Sequence, residues 1–252
     1  MRTMKLFVYS SPLETARALI KHLLGLIDEQ PDKIFNIAVS GGSTPARMFE
    51  LWANEYANVT SWERIRIYWV DERCVPPESV DSNYGMTRKL LLSVVPVSSD
   101  HVFRIRGEKN PEEEAERYSE LVSGQVPSQN GWPEFDVVLL GAGDDGHTSS
   151  IFPGQENLLF SDSVYAVSVH PSTGQQRIAL TGYPIMNARH VIFLINGEGK
   201  AEVVKDMCKS ADAGPAAYIA HHAKNHMALF VDAVAAAYIC SSESCNNEEK
   251  SS

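Results

Sequence analysis

The chain has 252 residues, yet only four are cysteine (Cys74, Cys208, Cys240 and Cys245), and no two of them form a CxxC pair. That scarcity argues against a disulfide framework or a cysteine zinc cage and favours reduced thiols. Long apolar runs are also missing. No stretch approaches the roughly 20 residues needed to span a bilayer. The opening MRTMKLFVYSSPLETARALI interrupts its apolar residues with Lys5, Ser10, Ser11, Glu14 and Arg17, unlike the core of a signal peptide. A cytoplasmic location with no membrane partner is the expectation. Positive charge is in deficit, with 22 Lys and Arg against 32 Asp and Glu and a net charge of -10. That balance disfavours nonspecific binding to nucleic acid or to anionic membrane, but it leaves room for a local basic pocket that holds a small phosphate.

What is present is enough for a large core. At 44% hydrophobic residues, a chain of this length buries roughly three quarters of its unfolded surface. Strand patterns at 5–9, 34–39, 65–70, 135–140, 164–169, 177–181, 190–195 and 227–231 alternate with helical periodicity at 13–27, 45–53, 82–92, 111–123, 184–188 and 199–208. An Ala-rich helix is expected from Asp232, and 124–133 reads as a polar loop. Repeated strand–helix order predicts a three-layer α/β/α fold with a mainly parallel, Rossmann-like twisted sheet, in which ligands collect at the carboxyl ends of the strands. We expect one domain over 1–240 and a polar, disordered tail, SSESCNNEEKSS, over 241–252.

Three stretches carry chemistry, and each follows a strand. Ser40, Gly41, Gly42, Ser43, Thr44 and Pro45 stand between a strand and a helix, where backbone N–H groups, hydroxyls and the helix N-terminus suit a phosphate. No GK[ST] follows, so this is not a Walker A loop, and an ordinary capped turn would look similar. Next, the strand running into Asp71, Glu72 and Arg73 offers a carboxylate and a guanidinium, with Asp81 to Tyr84, Asn83 among them, in the neighbouring loop. A surface ion pair is the plainer alternative. Finally, GAGDDGHTSSIFP at 141–153 puts three glycines, two aspartates and a histidine at the mouth of a buried strand. Glycines let the backbone approach a ligand, and the acids and imidazole supply charge and proton transfer.

The segments SGGSTP, WVDERCVPPESVDSNYGM, FDVVLLGAGDDGHTSSIFPG, QRIALTGYPIMNA and VIFLINGEGKAEVV, in this order, resemble the 6-phosphogluconolactonase family over about Ser10 to Tyr238. The resemblance implies a cofactor-free hydrolase of 6-phospho-D-glucono-1,5-lactone, within a superfamily that includes glucosamine-6-phosphate deaminases and takes sugar phosphates as ligands. No cofactor and no metal are expected. A sugar-phosphate lactone is the expected small-molecule partner, for a monomer or homodimer.

A 1,5-lactone is an activated ester that one base can open by taking a proton from water. His147 is the chosen base, because an ordinary imidazole, with a pKa of about 6.5, keeps a neutral fraction near pH 7. Asp145 would orient the ring, and Asp71 is the alternative base. Asp144 occupies the family's variable position and reads as solvated. Backbone N–H groups of the glycine loop, Gly143 included, are candidate donors to the developing oxyanion. Arg177 and Lys200 match superfamily positions that approach the phosphate beside Gly41, Gly42, Ser43 and Thr44, and Arg73 would join them or hold the sugar.

There are departures from the family pattern. Leu229 stands where tryptophan is common, though Phe230 and Asp232 are kept. His222 and His226 of HHAKNH have i,i+4 spacing, but without an accompanying acid a solvated histidine-rich loop is expected there rather than zinc. A deaminase would carry DEY and GHIAFNEP. Here Arg73 replaces that tyrosine, and Phe152 falls where the deaminase has a glutamate. A sugar-phosphate-sensing regulator would need a DNA-binding module, and no basic helix-turn-helix pattern is present.

Overall fold

The computed structural model describes residues 4–239. In chain order its main elements are β1 (Lys5–Tyr9), α1 (Pro12–Asp28), β2 (Phe35–Val39), α2 (Ser43–Glu55), β3 (Ile65–Trp69), β4 (Asp71–Arg73), α3 (Asn83–Thr87), α4 (Pro111–Gln125), β5 (Ser128–Gln129), β6 (Trp132–Pro133), β7 (Val137–Leu140), β8 (Tyr165–Val169), β9 (Gln176–Leu180), α5 (Gly182–Asn187), β10 (His190–Ile195), α6 (Ala201–Lys209), α7 (Pro215–His222) and β11 (His226–Asp232).

Six strands form one wholly parallel sheet in the order β1-β11-β10-β7-β2-β3. Every residue of β2 and β7 is buried, so both alternations of the pleat are covered, as a sheet clothed on two faces requires. Helix α1 shows how the sequence brings this about. Ser11 caps it by accepting from the Glu14 N–H, Pro12 opens its first turn, and its buried stripe includes Leu19, Ile20, Leu23 and Ile27. Burying each of these aliphatic side chains is worth about 1.5–3 kcal/mol. Among the described residues no helix is long and apolar enough to cross a membrane.

Several elements differ from expectation. The strands at 164–169 and 177–181 do not join the parallel sheet. As β8 and β9 they form a separate antiparallel sheet in the order β4-β9-β8, because the short link at 170–175 that joins them leaves no room for a parallel crossover. The region 82–92 is split into α3 and a π-turn over 88–92. The expected loop at 124–133 holds the end of α4 and the small β5–β6 hairpin.

The Ala-rich segment after Asp232 is a series of turns up to Ile239 rather than a helix, with Asp232 Oδ1 accepting the Ala235 N–H. The histidine-rich stretch is solvated as expected but is a loop only at 223–225. His221 and His222 complete α7, bonding through their ring nitrogens to the carbonyls of Met207 and Tyr218, both at 2.8 Å, and His226 opens β11 stacked on His190. The polar tail lies outside the described residues.

Candidate active site

The Ser40–Pro45 loop leaves β2 at its carboxyl end. Ser40 Oγ ties it to β7 by donating to the Leu139 carbonyl at 2.8 Å. Gly42, the residue preceding α2, has φ 105°, a conformation that glycine adopts freely, and no side chain caps the helix there. The first-turn N–H groups therefore lack a side-chain cap, the state in which a helix start receives an anion. At Gly41 a Cβ would fall 1.8 Å from Asn83 Oδ1, so the loop packs backbone against α3.

β4 supplies the opposite wall. Asp71 is buried; Asn83 Nδ2 donates to its carbonyl at 2.9 Å and its Oδ1 at 3.2 Å, and Ser150 Oγ donates to its Oδ2. Arg177 NH1 lies 4.0 Å from the same Oδ2 and 3.3 Å from Ser150 Oγ. Arg73 and Arg177 are direct partners across the β4–β9 ladder, and the Nε of each is buried without a hydrogen-bond partner. Burial pushes the Arg177 pKa below the ordinary guanidinium value, with Asp71 opposing. Like charges facing one another across a sheet are destabilising unless something negative intervenes. Asp71 supplies part of that charge. Arg73 NH1 donates to the Asp81 carbonyl at 2.6 Å. The buried Glu72 carboxylate accepts the N–H groups of Arg73, Asn83 and Tyr84 and the Ser82 hydroxyl, fixing α3 against β4. Burial raises the Glu72 pKa, with the backbone donors acting against it.

The third wall is the glycine-rich loop after β7. Gly143 donates its N–H to the His147 carbonyl at 2.8 Å and Gly146 donates to the Gly143 carbonyl at 3.0 Å. Both N–H groups are thus spent inside the loop, so Gly143 contributes close approach rather than an oxyanion donor. A Cβ there would stand 2.1 Å from His147 Nδ1. The imidazole, itself part-exposed, sits against the buried Phe152 ring at a centroid separation of 4.6 Å. Its Nδ1 lies 2.6 Å from Asp145 Oδ1, which also accepts the His147 backbone N–H at 3.1 Å. Partial burial would raise the Asp145 pKa. The hydrogen bonds and charge of His147 outweigh it, and the net result lies below the ordinary carboxyl value. An ionised acceptor at Nδ1 selects the tautomer whose lone pair is on Nε2. Beyond the histidine, Ser149 and Ser150 both have positive φ, 48° and 53°. Ser149 Oγ bonds to the carbonyls of Val70 and Leu180, pinning the loop where the two sheets meet.

Lys200 completes the ring from the loop after β10. Its Nζ donates to the Ala142 carbonyl at 2.8 Å and pairs with Asp144 at 2.6 Å. Asp144 is therefore partnered rather than merely solvated. The loop is anchored by Asp232, both of whose carboxylate oxygens lie 3.1 Å from the Gly197 N–H.

These residues line one cleft of about 250 Å³ at the carboxyl ends of the central strands. Of the positions singled out in the sequence, Gly41, Gly42, Ser43, Thr44, Asp71, Arg73, Asn83, Gly143, His147, Arg177 and Lys200 all face it, and Asp145 stands behind the imidazole. The model of the family described as glucosamine-6-phosphate isomerases/6-phosphogluconolactonase matches residues 10–229. The chain belongs to that family. Within it, the 6-phosphogluconolactonase of Treponema pallidum is 41% identical over 83% of this chain and 86% of its own length, and that of Haemophilus influenzae 41% identical over 68% and 72%. The solved 6-phosphogluconolactonase of Trypanosoma brucei superposes with a TM-score of 0.85 at 30% identity, covering 95% of this chain and all of the other. A monomeric glucosamine-6-phosphate deaminase shares the fold, with a TM-score of 0.76 at 20% identity.

Sequence reading gave no site role to Ser150 or Asn196, and noted Glu72 and Asp232 without one. Ser150 belongs to the glycine-loop motif and could have been found there. Glu72 and Asp232 act through backbone bonds that only the fold reveals. Asn196 lines the cleft with its Oδ1 buried and without a hydrogen-bond partner, a position that the strand ending at Ile195 did not advertise.

Proposed function

We propose that this cleft hydrolyses 6-phospho-D-glucono-1,5-lactone to 6-phospho-D-gluconate, with His147 as general base. The carrying observation is the Asp145–His147 pair at one side of a cleft whose other sides present Arg73, Arg177 and Lys200. The names of the relatives favour the same reaction.

In this reading Nε2 of His147 takes a proton from water as the water oxygen bonds to C1. The ring C1–O bond then breaks, and the departing ring oxygen takes the proton back from the imidazolium. Asp145 steadies that cation through Nδ1. Arg177 and Lys200, beside the Ser40–Pro45 loop and the start of α2, hold the phosphate. The Arg73 guanidinium, tethered at Asp81, takes part at the sugar or the phosphate. Asp71 is engaged by Asn83 and Ser150, which suits a wall of the cleft better than a free base. The deaminase alternative lacks its acid, since Phe152 stands at the sequence position of that enzyme's glutamate and packs against the imidazole instead.

The test is acid release from freshly generated lactone, measured against spontaneous hydrolysis. Wild-type protein should add a large excess rate, and His147→Ala should remove most of it with an unchanged circular dichroism spectrum. No excess from wild-type protein would end the proposal.

A further inference from the structure

We propose that Asp144 is an internal competitor for the Lys200 ammonium, occupying it in the free enzyme and weakening the hold on the phosphate of substrate and product alike. This rests on Lys200 being a phosphate ligand.

Lys200 has two partners from the same loop, and they do different things. The Ala142 carbonyl, at 2.8 Å, fixes the position of Nζ without adding net charge. Asp144 Oδ1, at 2.6 Å, adds a full negative charge. The Asp144 side chain is 75% exposed and Lys200 is its ion-pair partner, whereas the Lys200 side chain is 27% exposed. A carboxylate so open to solvent contributes little to the fold. It does sit where an arriving phosphate must share or take over the cation. Two anions competing for one ammonium repel each other, so the pair opposes phosphate binding and speeds its departure. The alternative, that Asp144 holds Lys200 in place for the ligand, predicts the opposite sign. It is the weaker reading, because Ala142 and the start of α6 already position the lysine.

Asp144→Asn separates the two. The amide keeps an oxygen that can accept from Nζ but removes the charge. An exposed pair of this kind limits the effect to about two- to fivefold. We expect KM for the lactone and Ki for 6-phosphogluconate both to fall by that factor, while Ki for gluconate, which has no phosphate, stays put. Inorganic phosphate should inhibit the variant at correspondingly lower concentration. In a Lys200→Gln background the effect of Asp144→Asn on these constants should be much smaller, since only the screened repulsion between Asp144 and the phosphate is left.

If Asp144→Asn leaves Ki for 6-phosphogluconate unchanged or raises it, while wild-type protein hydrolyses the lactone and Lys200→Gln weakens phosphate binding, the competition is wrong and the functional reading stands. Equal shifts for gluconate and 6-phosphogluconate would also overturn it. Absence of lactone hydrolysis by wild-type protein, or no change in KM on Lys200→Gln, would instead remove the premise and the proposal with it.

Discussion

Asp145 Oδ1 meets both His147 Nδ1, at 2.6 Å, and the His147 backbone N–H, at 3.1 Å. One carboxylate oxygen therefore fixes the imidazole's orientation and its protonated nitrogen together. Removing the ring by His147→Ala should lower kcat by about 10²- to 10⁴-fold, the usual contribution of a positioned base. Asp145→Asn should lower it by less, because the ring remains while its tautomer and orientation are no longer imposed. Steady-state kinetics on the two variants check the order, and equal KM values in both would locate the defect in the chemical step.

Gly143 gives a sharper version of the same test. A methyl group there would lie 2.1 Å from His147 Nδ1 and 2.5 Å from Asp145 Oδ1, and these near neighbours are side-chain atoms rather than backbone. Side chains can turn aside. Gly143→Ala should therefore displace the imidazole and lower kcat strongly, with a shift in Tm of only a few degrees. A large stability loss with kcat intact would show that the glycine serves folding instead.

The cationic side should respond in binding. Arg177→Ala and Lys200→Ala each delete a charge-assisted bond to the proposed phosphate, and the expected rise in KM is about 10- to 10²-fold for each, with kcat much less affected. Arg177 also sits 4.0 Å from Asp71. Its loss should therefore cost somewhat more stability than that of Lys200, measurable as a lower urea midpoint.

A pH effect on stability arises far from the cleft. His190 is half-buried at the start of β10, stacked on His226 and near His22. Burial first, then the charges of His226, His22, Arg189 and Lys33, push its pKa down to about 4. Burial likewise lowers that of His22, with Lys5 assisting. These folded values lie below the unfolded value of about 6.5. Unfolding therefore takes up protons, and stability present above about pH 6.5 is lost as pH falls toward 4. Urea midpoints measured across that range should decline with acidity, and His190→Gln should flatten the decline.

Much of this site was legible because its motifs follow strands. In a parallel sheet the residues just after Val39, Leu140 and Ile195 must gather at one end, whatever the packing details. The strand pattern at 177–181 was legible too, but its pairing was not. The alternation there is the same for a parallel and an antiparallel neighbour; the short link at 170–175 makes the β8–β9 pair antiparallel, and the pairing of β9 with β4 on its other side emerges only in the fold. The Ala-rich end differed for a physical reason. Asp232 accepts the Ala235 N–H as a helix N-cap would, but the described chain beyond it, 233–239, is too short for alanine's helix propensity to decide its conformation, and it runs as turns. Positive φ at Ser149 and Ser150 could not have been read from residue type, since serine rarely adopts it.

The most direct test is a crystal structure with 6-phosphogluconate bound. The phosphate should lie among Arg177, Lys200 and the N–H groups at the start of α2, with the C1 carboxylate within hydrogen-bond reach of His147 Nε2. A product bound in the reverse sense, with its phosphate at His147, or an imidazole turned away from C1, would contradict the role given to His147.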